Sequence, residues 1–348
     1  MEEYKPKLRL RRVVFVVVLA IALMALAGRL LSRESFYEML EVIRNANYLW
    51  IGSAVALYFI NLAIWSGRWQ TALSFIDCRI SSGSRYLIIC ATVFLNNISP
   101  GARVGGDPFG RIYMLHKLEN ISYSSGMASL IGEFALTPLI VISFLMGGLL
   151  LQFGKGSIQL GLIIMVAWVL AALGTIFVPR LFFRKRVAIK GISKLVERVL
   201  GWFGKGNDVQ ATLDGIEALY SNTYAIMDKW QKIVLIGGWT LLIGVSDIVR
   251  LSVIFLALGY HPALATLLVA SSLEIIVGLV PLLPGGLVLV EGSLISILAL
   301  LGVPLDVAMA ATLIERGITF VLSTIVGGGV FSYLGVKMGT KADVQNQT

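Results

Sequence analysis

Charge is what this chain has least of. Only 14% of its 348 residues are charged, against about 25% in soluble domains. With 57% hydrophobic residues and a mean hydropathy of +0.84, a water-soluble globule is excluded and the chain reads as an integral membrane protein. Cysteine and histidine are scarce as well. Cys78 and Cys90 lie in or beside apolar stretches without metal spacing, which argues against a disulfide framework. His116 and His261 are far apart and have no partners at ligand spacing, so neither a metal nor a cofactor is expected. There is no P-loop, no His-Glu-x-x-His and no Gly-x-Ser-x-Gly. Nothing activates a nucleophile, so an enzyme is not expected. The charge that is present is lopsided, 29 Lys/Arg against 20 Asp/Glu, net +9. In a membrane protein that bias marks cytoplasmic loops rather than a nucleic-acid partner.

The apolar runs set the plan. Residues 13–31, 48–66, 125–151, 158–178, 233–259 and 309–336 are each long enough to cross a bilayer, which takes about 20 residues. The first follows a basic start and is taken as a retained span, because it is too long for a signal peptide. Residues 32–47 read as a polar loop. Residues 180–232 carry ten Lys/Arg and apolar residues at helical spacing (Ile192 to Phe203, then Val209, Leu213, Ile216, Tyr220 and Tyr224). They are expected to be two amphipathic helices on the cytoplasmic surface.

Two segments do not fit a simple span. The first is 86–118, with Asn96-Asn97-Ile98-Ser99-Pro100-Gly101-Ala102-Arg103-Val104-Gly105-Gly106-Asp107-Pro108-Phe109-Gly110-Arg111 at its centre. The second is 263–301, built around Pro281 to Gly292 with Pro284-Gly285-Gly286 at the break. Broken backbone and charge at membrane depth survive only inside protein or beside a wet cavity. Each Pro-Gly is followed by an acid seven positions after the proline, Asp107 and Glu291. A glutamate then sits in the next apolar helix, Glu133 and Glu315, 33 and 31 positions after the proline. The recurrence predicts an inverted repeat: 1–151 as one half and 158–336 as the other, six full spans in all, with two oppositely oriented re-entrant hairpins. The fold class is thus an all-α polytopic membrane protein. With both termini in the cytoplasm of a cell-membrane protein, 23 of the 29 Lys/Arg fall on that side, which supports the orientation.

Inverted repeats with interrupted segments are the plan of transporters, with substrate held near the midplane. Asp107 and Glu291 either cap the second limbs of the hairpins or bind a cationic group and carry protons. Glu133, Glu274 and Glu315 either form structural pairs with Arg103, Arg250 or Arg316, or belong to the site. Asp247 and Arg250 stand three apart on one helix and are expected to pair. Arg103, Arg111, Arg250 and Arg316 are candidate anion binders, since guanidinium grips phosphate with two prongs. Asn97, Ser99, Gly101, Gly106, Pro284, Gly285 and Gly286 complete the candidate substrate site. This chemistry suits a phosphate-bearing or zwitterionic headgroup.

The motifs Asn97 to Arg111 and Pro284 to Glu291, with Glu315-Arg316, resemble the transmembrane region of lysylphosphatidylglycerol synthases and their stand-alone flippase-like relatives. The resemblance implies lipid translocation, of aminoacylated phosphatidylglycerol or of polyprenyl-phosphate-linked sugars. It implies membrane lipids as partners, with a homo-oligomer or a partner synthase or glycosyltransferase as further possibilities. Val288 stands where the second motif usually has glycine, and Phe134 follows Glu133 where arginine is common. No soluble domain able to hold an aminoacyl transferase follows, so synthase activity is not expected. The competing expectations are a small-solute or ion carrier, a membrane enzyme acting on glycosyl or polyprenyl-phosphate substrates, and an accessory subunit of a glycosylation system.

Overall fold

The computed structural model describes residues 33–99, 105–153, 159, 161–170, 173, 209–280 and 284–345. The expected span 13–31, most of 158–178, the first amphipathic helix of the insert, and Pro100 to Val104 with Gly101 and Arg103 lie outside these. Among the described residues there is no strand. In chain order the helices are α1 (Arg33–Arg44), α2 (Tyr48–Ser74), α3 (Ser82–Ile98), α4 (Arg111–Glu119), α5 (Tyr123–Phe134), α6 (Thr137–Phe153) and α7 (Gly161–Leu170). They continue as α8 (Val209–Met227), α9 (Trp230–Ala257), α10 (Leu264–Gly278), α11 (Leu289–Leu300), α12 (Leu305–Arg316) and α13 (Ser323–Gln345). Among the described residues, four helical stretches are long and apolar enough to cross a membrane: Tyr48–Ser74, Tyr123–Phe153, Trp230–Ala257 and Leu305–Thr340.

Several boundaries differ from expectation for physical reasons. The stretch 32–47 is not a loop: α1 buries Met39 beside Met309 and Ala310. The second span does not stop at residue 66 but runs to Ser74, because Arg68 is neutralised inside the protein rather than placed at the interface. Residues 125–151 bend at Ala135-Leu136, just ahead of Pro138, whose ring does not fit a continuous helix interior. The last span is loosened into a wide turn, Gly317–Leu322, directly after Glu315-Arg316. In the insert, α8 packs on α5 through Thr223 and Ile226, while Tyr224 faces outward.

The polarity of α9 is inside-out. Leu235, Leu242 and Val249 are exposed, while Thr240, Ser246 and Arg250 are buried. Apolar residues outside and polar residues inside is what lipid surroundings select. Packing then follows a pattern. The helix α2 runs along α9, α3 along α13, and α10 along α6. At the α3–α13 crossing a Cβ on Gly327 would run into the Cys90 carbonyl and Phe94, so the small residue sets how closely these helices approach.

Both expected breaks are present. After α3 the chain passes Gly105–Gly110, interrupted at Asp107, whose extended backbone (φ −104°, ψ 126°) precedes a cis peptide bond to Pro108. After α10 it breaks and turns through Pro284–Gly286 into α11, with α10 and α11 packed together. The two breaks meet: α3 touches Pro284–Gly286.

Candidate functional site

Two buried ion-pair networks flank these breaks. In the first, Glu133 of α5 is fully buried and serves two arginines. Its Oε1 accepts from Arg68 Nη2 (2.9 Å) and from Trp65 Nε1 (2.5 Å), and its Oε2 accepts from Arg111 Nη2 (2.7 Å). Arg111 also reaches Asp107 (3.2 Å) and lies 3.9 Å over the Trp69 ring. In the second, Arg250 of α9 bonds Glu315 (2.6 Å) and Asp247 (2.6 Å). Arg316 bonds Glu291 (2.5 Å) and donates Nη2 to the Gly285 carbonyl (2.9 Å).

Two asparagines of α3 tie the first break and the last span to that helix. Asn96 Oδ1 accepts from the backbone N–H of Gly106 and of Asp107, both at 3.0 Å. Asn97 Nδ2 donates to Ser323 Oγ (2.9 Å) and Thr324 Oγ1 (3.0 Å) at the wide turn of the last span. Gly285 (φ +60°) sits where a Cβ would strike the Phe320 ring, so glycine is required there on two grounds. Ser99 ends α3, its N–H donating to the Leu95 carbonyl.

Between the networks lies a cavity of about 250 Å³. Its charged wall is Arg68, Asp247, Arg250, Glu274 and Arg316; Asn61, Thr137, Thr240, Ser271, Ser272 and Thr319 add neutral polar groups. Val141, Phe144 and Ile275 are among its apolar lining. Of the sequence candidates, Asn97, Arg250, Glu274, Gly285 and Arg316 reach this wall. Asp107, Arg111, Glu133, Glu291 and Glu315 stand behind it, engaged in ion pairs, and Ser99, Gly106, Pro284 and Gly286 shape the breaks. No group of His, Cys, Asp and Glu among the described residues is arranged to hold a metal.

Sequence reading missed Arg68. It had been counted among cytoplasmic loop charges, yet it is 3% exposed and bonds Glu133. A signal was present: Arg68 precedes Glu133 by 65 residues, and Arg250 precedes Glu315 by the same 65. Asn61, whose amide donates to the Ile243 carbonyl (3.2 Å) and to Asp247 (3.0 Å), was also missed.

The family model for the lysylphosphatidylglycerol synthase transmembrane region matches residues 13–327. The chain belongs to this family. Among curated relatives, a UPF0104 membrane protein of Methanothermobacter thermautotrophicus is 28% identical over 341 residues, 93% of this chain and 97% of that one. A second from the same organism is 27% identical, over 87% of this chain and 88% of the relative. Glycosyltransferase AglD of Haloferax volcanii is 25% identical over 96% of this chain and 56% of its own length. No solved structure matches.

The two departures from the family's motifs now have physical content. Val288 has φ +70° and ψ −45°, a strained backbone that glycine tolerates and a β-branched residue does not. Phe134 holds the place after Glu133 that Arg316 holds after Glu315. The first break still has an acid–arginine pair, but its arginine, Arg111, comes from α4.

Proposed function

We propose that this protein is a lipid translocase, moving a phosphate-bearing headgroup, aminoacylated or glycosylated, between leaflets by alternating access. The carrying observation is the cavity, where Arg250 and Arg316 share one wall with apolar side chains at the meeting point of two broken hairpins. A headgroup phosphate needs the former and the first carbons of a lipid need the latter. Family membership supports a lipid-associated role, and the relative named for glycosyl transfer supports a headgroup carrying sugar.

The matched architecture supports alternation. The helices α2 and α9 pack on each other, each carrying an arginine 65 residues ahead of its glutamate. The first limb of each hairpin packs on the last helix of the other half. We read this as an inverted repeat, 1–151 against 158–336, with both hairpins re-entrant from opposite faces and both termini cytoplasmic. The site residues would then be Asn97, Arg250, Glu274, Gly285 and Arg316 at the cavity, positioned by the acids and arginines behind them. No catalytic step is assigned.

The test is native mass spectrometry of the purified protein, comparing co-purified lipids with those of Asp107→Asn/Glu291→Gln. The reading expects a phospholipid or polyprenyl phosphate bound to the wild type and lost from the variant. Only bulk lipid in both would count against it and favour a small-solute carrier or an accessory subunit.

A further inference from the structure

Among the described residues the charges around the cavity do not balance. Asp107, Glu133, Asp247, Glu274, Glu291 and Glu315 face Arg68, Arg111, Arg250 and Arg316. Each of the four guanidiniums is already paired with a carboxylate. Arg85, in the first turn of α3, is bonded to Ser66 and Gln70 instead. Among the described residues, Glu274 alone of the six acids makes no ion pair and accepts no hydrogen bond, and it faces the cavity. Around it stand Asp247 and Arg250 from α9, Glu315 and Arg316 from α12, and Tyr58 and Arg68 from α2. Ser271, on the same face of α10, and Thr319 add neutral oxygens within the same wall.

An uncompensated carboxylate at membrane depth is costly and recruits a neutralising partner. The negative charge of Glu274, facing the same cavity, also opposes an incoming phosphate. A positive charge arriving at Glu274 removes both obstacles at once. Building on the lipid-translocase reading, we propose that Glu274 binds a small monovalent cation, a proton or an alkali ion. It enters the cavity with the anionic headgroup and couples that movement to the cation gradient. The carboxylate either takes up the proton as a carboxylic acid or ligates the ion with neighbouring hydroxyl oxygens, and releases it on the opposite side.

The experiment uses the full chain in phosphatidylcholine liposomes, with fluorescent phosphatidylglycerol as the probe and its leaflet read by quenching from outside. Wild type, Glu274→Gln and Glu274→Asp are compared without a gradient, with a proton gradient and with a sodium gradient. One gradient should accelerate the wild type several-fold, identifying the cation. The Asp variant should keep that response and the Gln variant should lose it. Lipid that moves in the wild type with no response to either gradient, or a Gln variant that keeps the response, overturns the coupling while leaving the translocase reading intact. A second measurement needs no lipid. The melting temperature of the detergent-solubilised wild type minus that of Glu274→Gln should change with pH or with sodium replaced by choline. A difference constant across all conditions overturns the cation site. A changing difference without lipid movement keeps the site and removes the translocase.

Discussion

The two ion-pair networks solve one electrostatic problem in different ways. Around the first break, one fully buried carboxylate, Glu133, holds two arginines, with a tryptophan ring covering Arg111 and Asp107 assisting it. Around the second, two arginines are each held by their own glutamate, Glu315 and Glu291, with Asp247 assisting Arg250. The first network is concentrated and lies mostly behind the cavity wall; the second is distributed and puts both arginines on it. A concentrated pair network at low dielectric is intolerant of losing its central member, whereas a distributed one keeps part of its compensation. The first network is therefore the anchor and the second the one whose two arginines line the cavity.

The largest effect should come from Glu133→Gln, which leaves Arg68 and Arg111 without their shared counter-charge. A loss of about 3–5 kcal/mol is expected on breaking such a buried pair. Glu315→Gln should cost less, because it strips a single arginine, Arg250, which keeps Asp247, whereas Glu133→Gln leaves Arg68 with no carboxylate and Arg111 with Asp107 alone. Denaturation of the two variants in detergent checks the order; equal losses would erase the distinction between networks. Next is an exchange that converts one half toward the other. Arg111→Leu should destabilise, and adding Phe134→Arg should recover part of the loss, since the new guanidinium takes the place that Arg316 holds in the second half. A coupling of about 1–2 kcal/mol between the two changes is expected from a double-mutant cycle, as for residues sharing one network. Additive costs would mean that Phe134 and Arg316 are not counterparts.

Gly285→Ala is expected to cost about 2 kcal/mol, because positive φ and a collision with Phe320 act together. Gly259→Ala, with similar φ but open space, should cost about 1 kcal/mol. Thermal unfolding of both separates crowding at the hairpin junction from backbone preference alone. The smallest change has the opposite sign. Val288→Gly should stabilise by about 1 kcal/mol by relieving strained backbone, visible as a raised melting temperature.

How much was legible in the sequence follows from range. The two breaks announce themselves locally, because Pro-Gly beside charge cannot continue an apolar helix. Asp247 and Arg250 are three apart and pair as helix geometry requires. The acids were readable as members of a site because charge in hydrocarbon needs a reason. Their partners were not readable residue by residue: Glu133 takes Arg68, hidden at the end of an apolar run. Asn61 gave no local signal, since its carbonyl partner, Ile243, is a backbone group 182 residues away. Helix α1 was missed because three glutamates and two arginines outweighed a short apolar stripe that pays off only against α12.

The central proposal is that lipid headgroups pass through the cavity between the two ion-pair networks. Its most direct test places a single cysteine at Ile275, an apolar residue of the cavity wall, in a protein with Cys78→Ser and Cys90→Ala. Movement of fluorescent phosphatidylglycerol is measured in liposomes before and after reaction with a bulky thiol reagent, on the same folded sample. The account predicts that filling the cavity stops lipid movement while the unmodified protein remains active. Unchanged movement after complete labelling would contradict it.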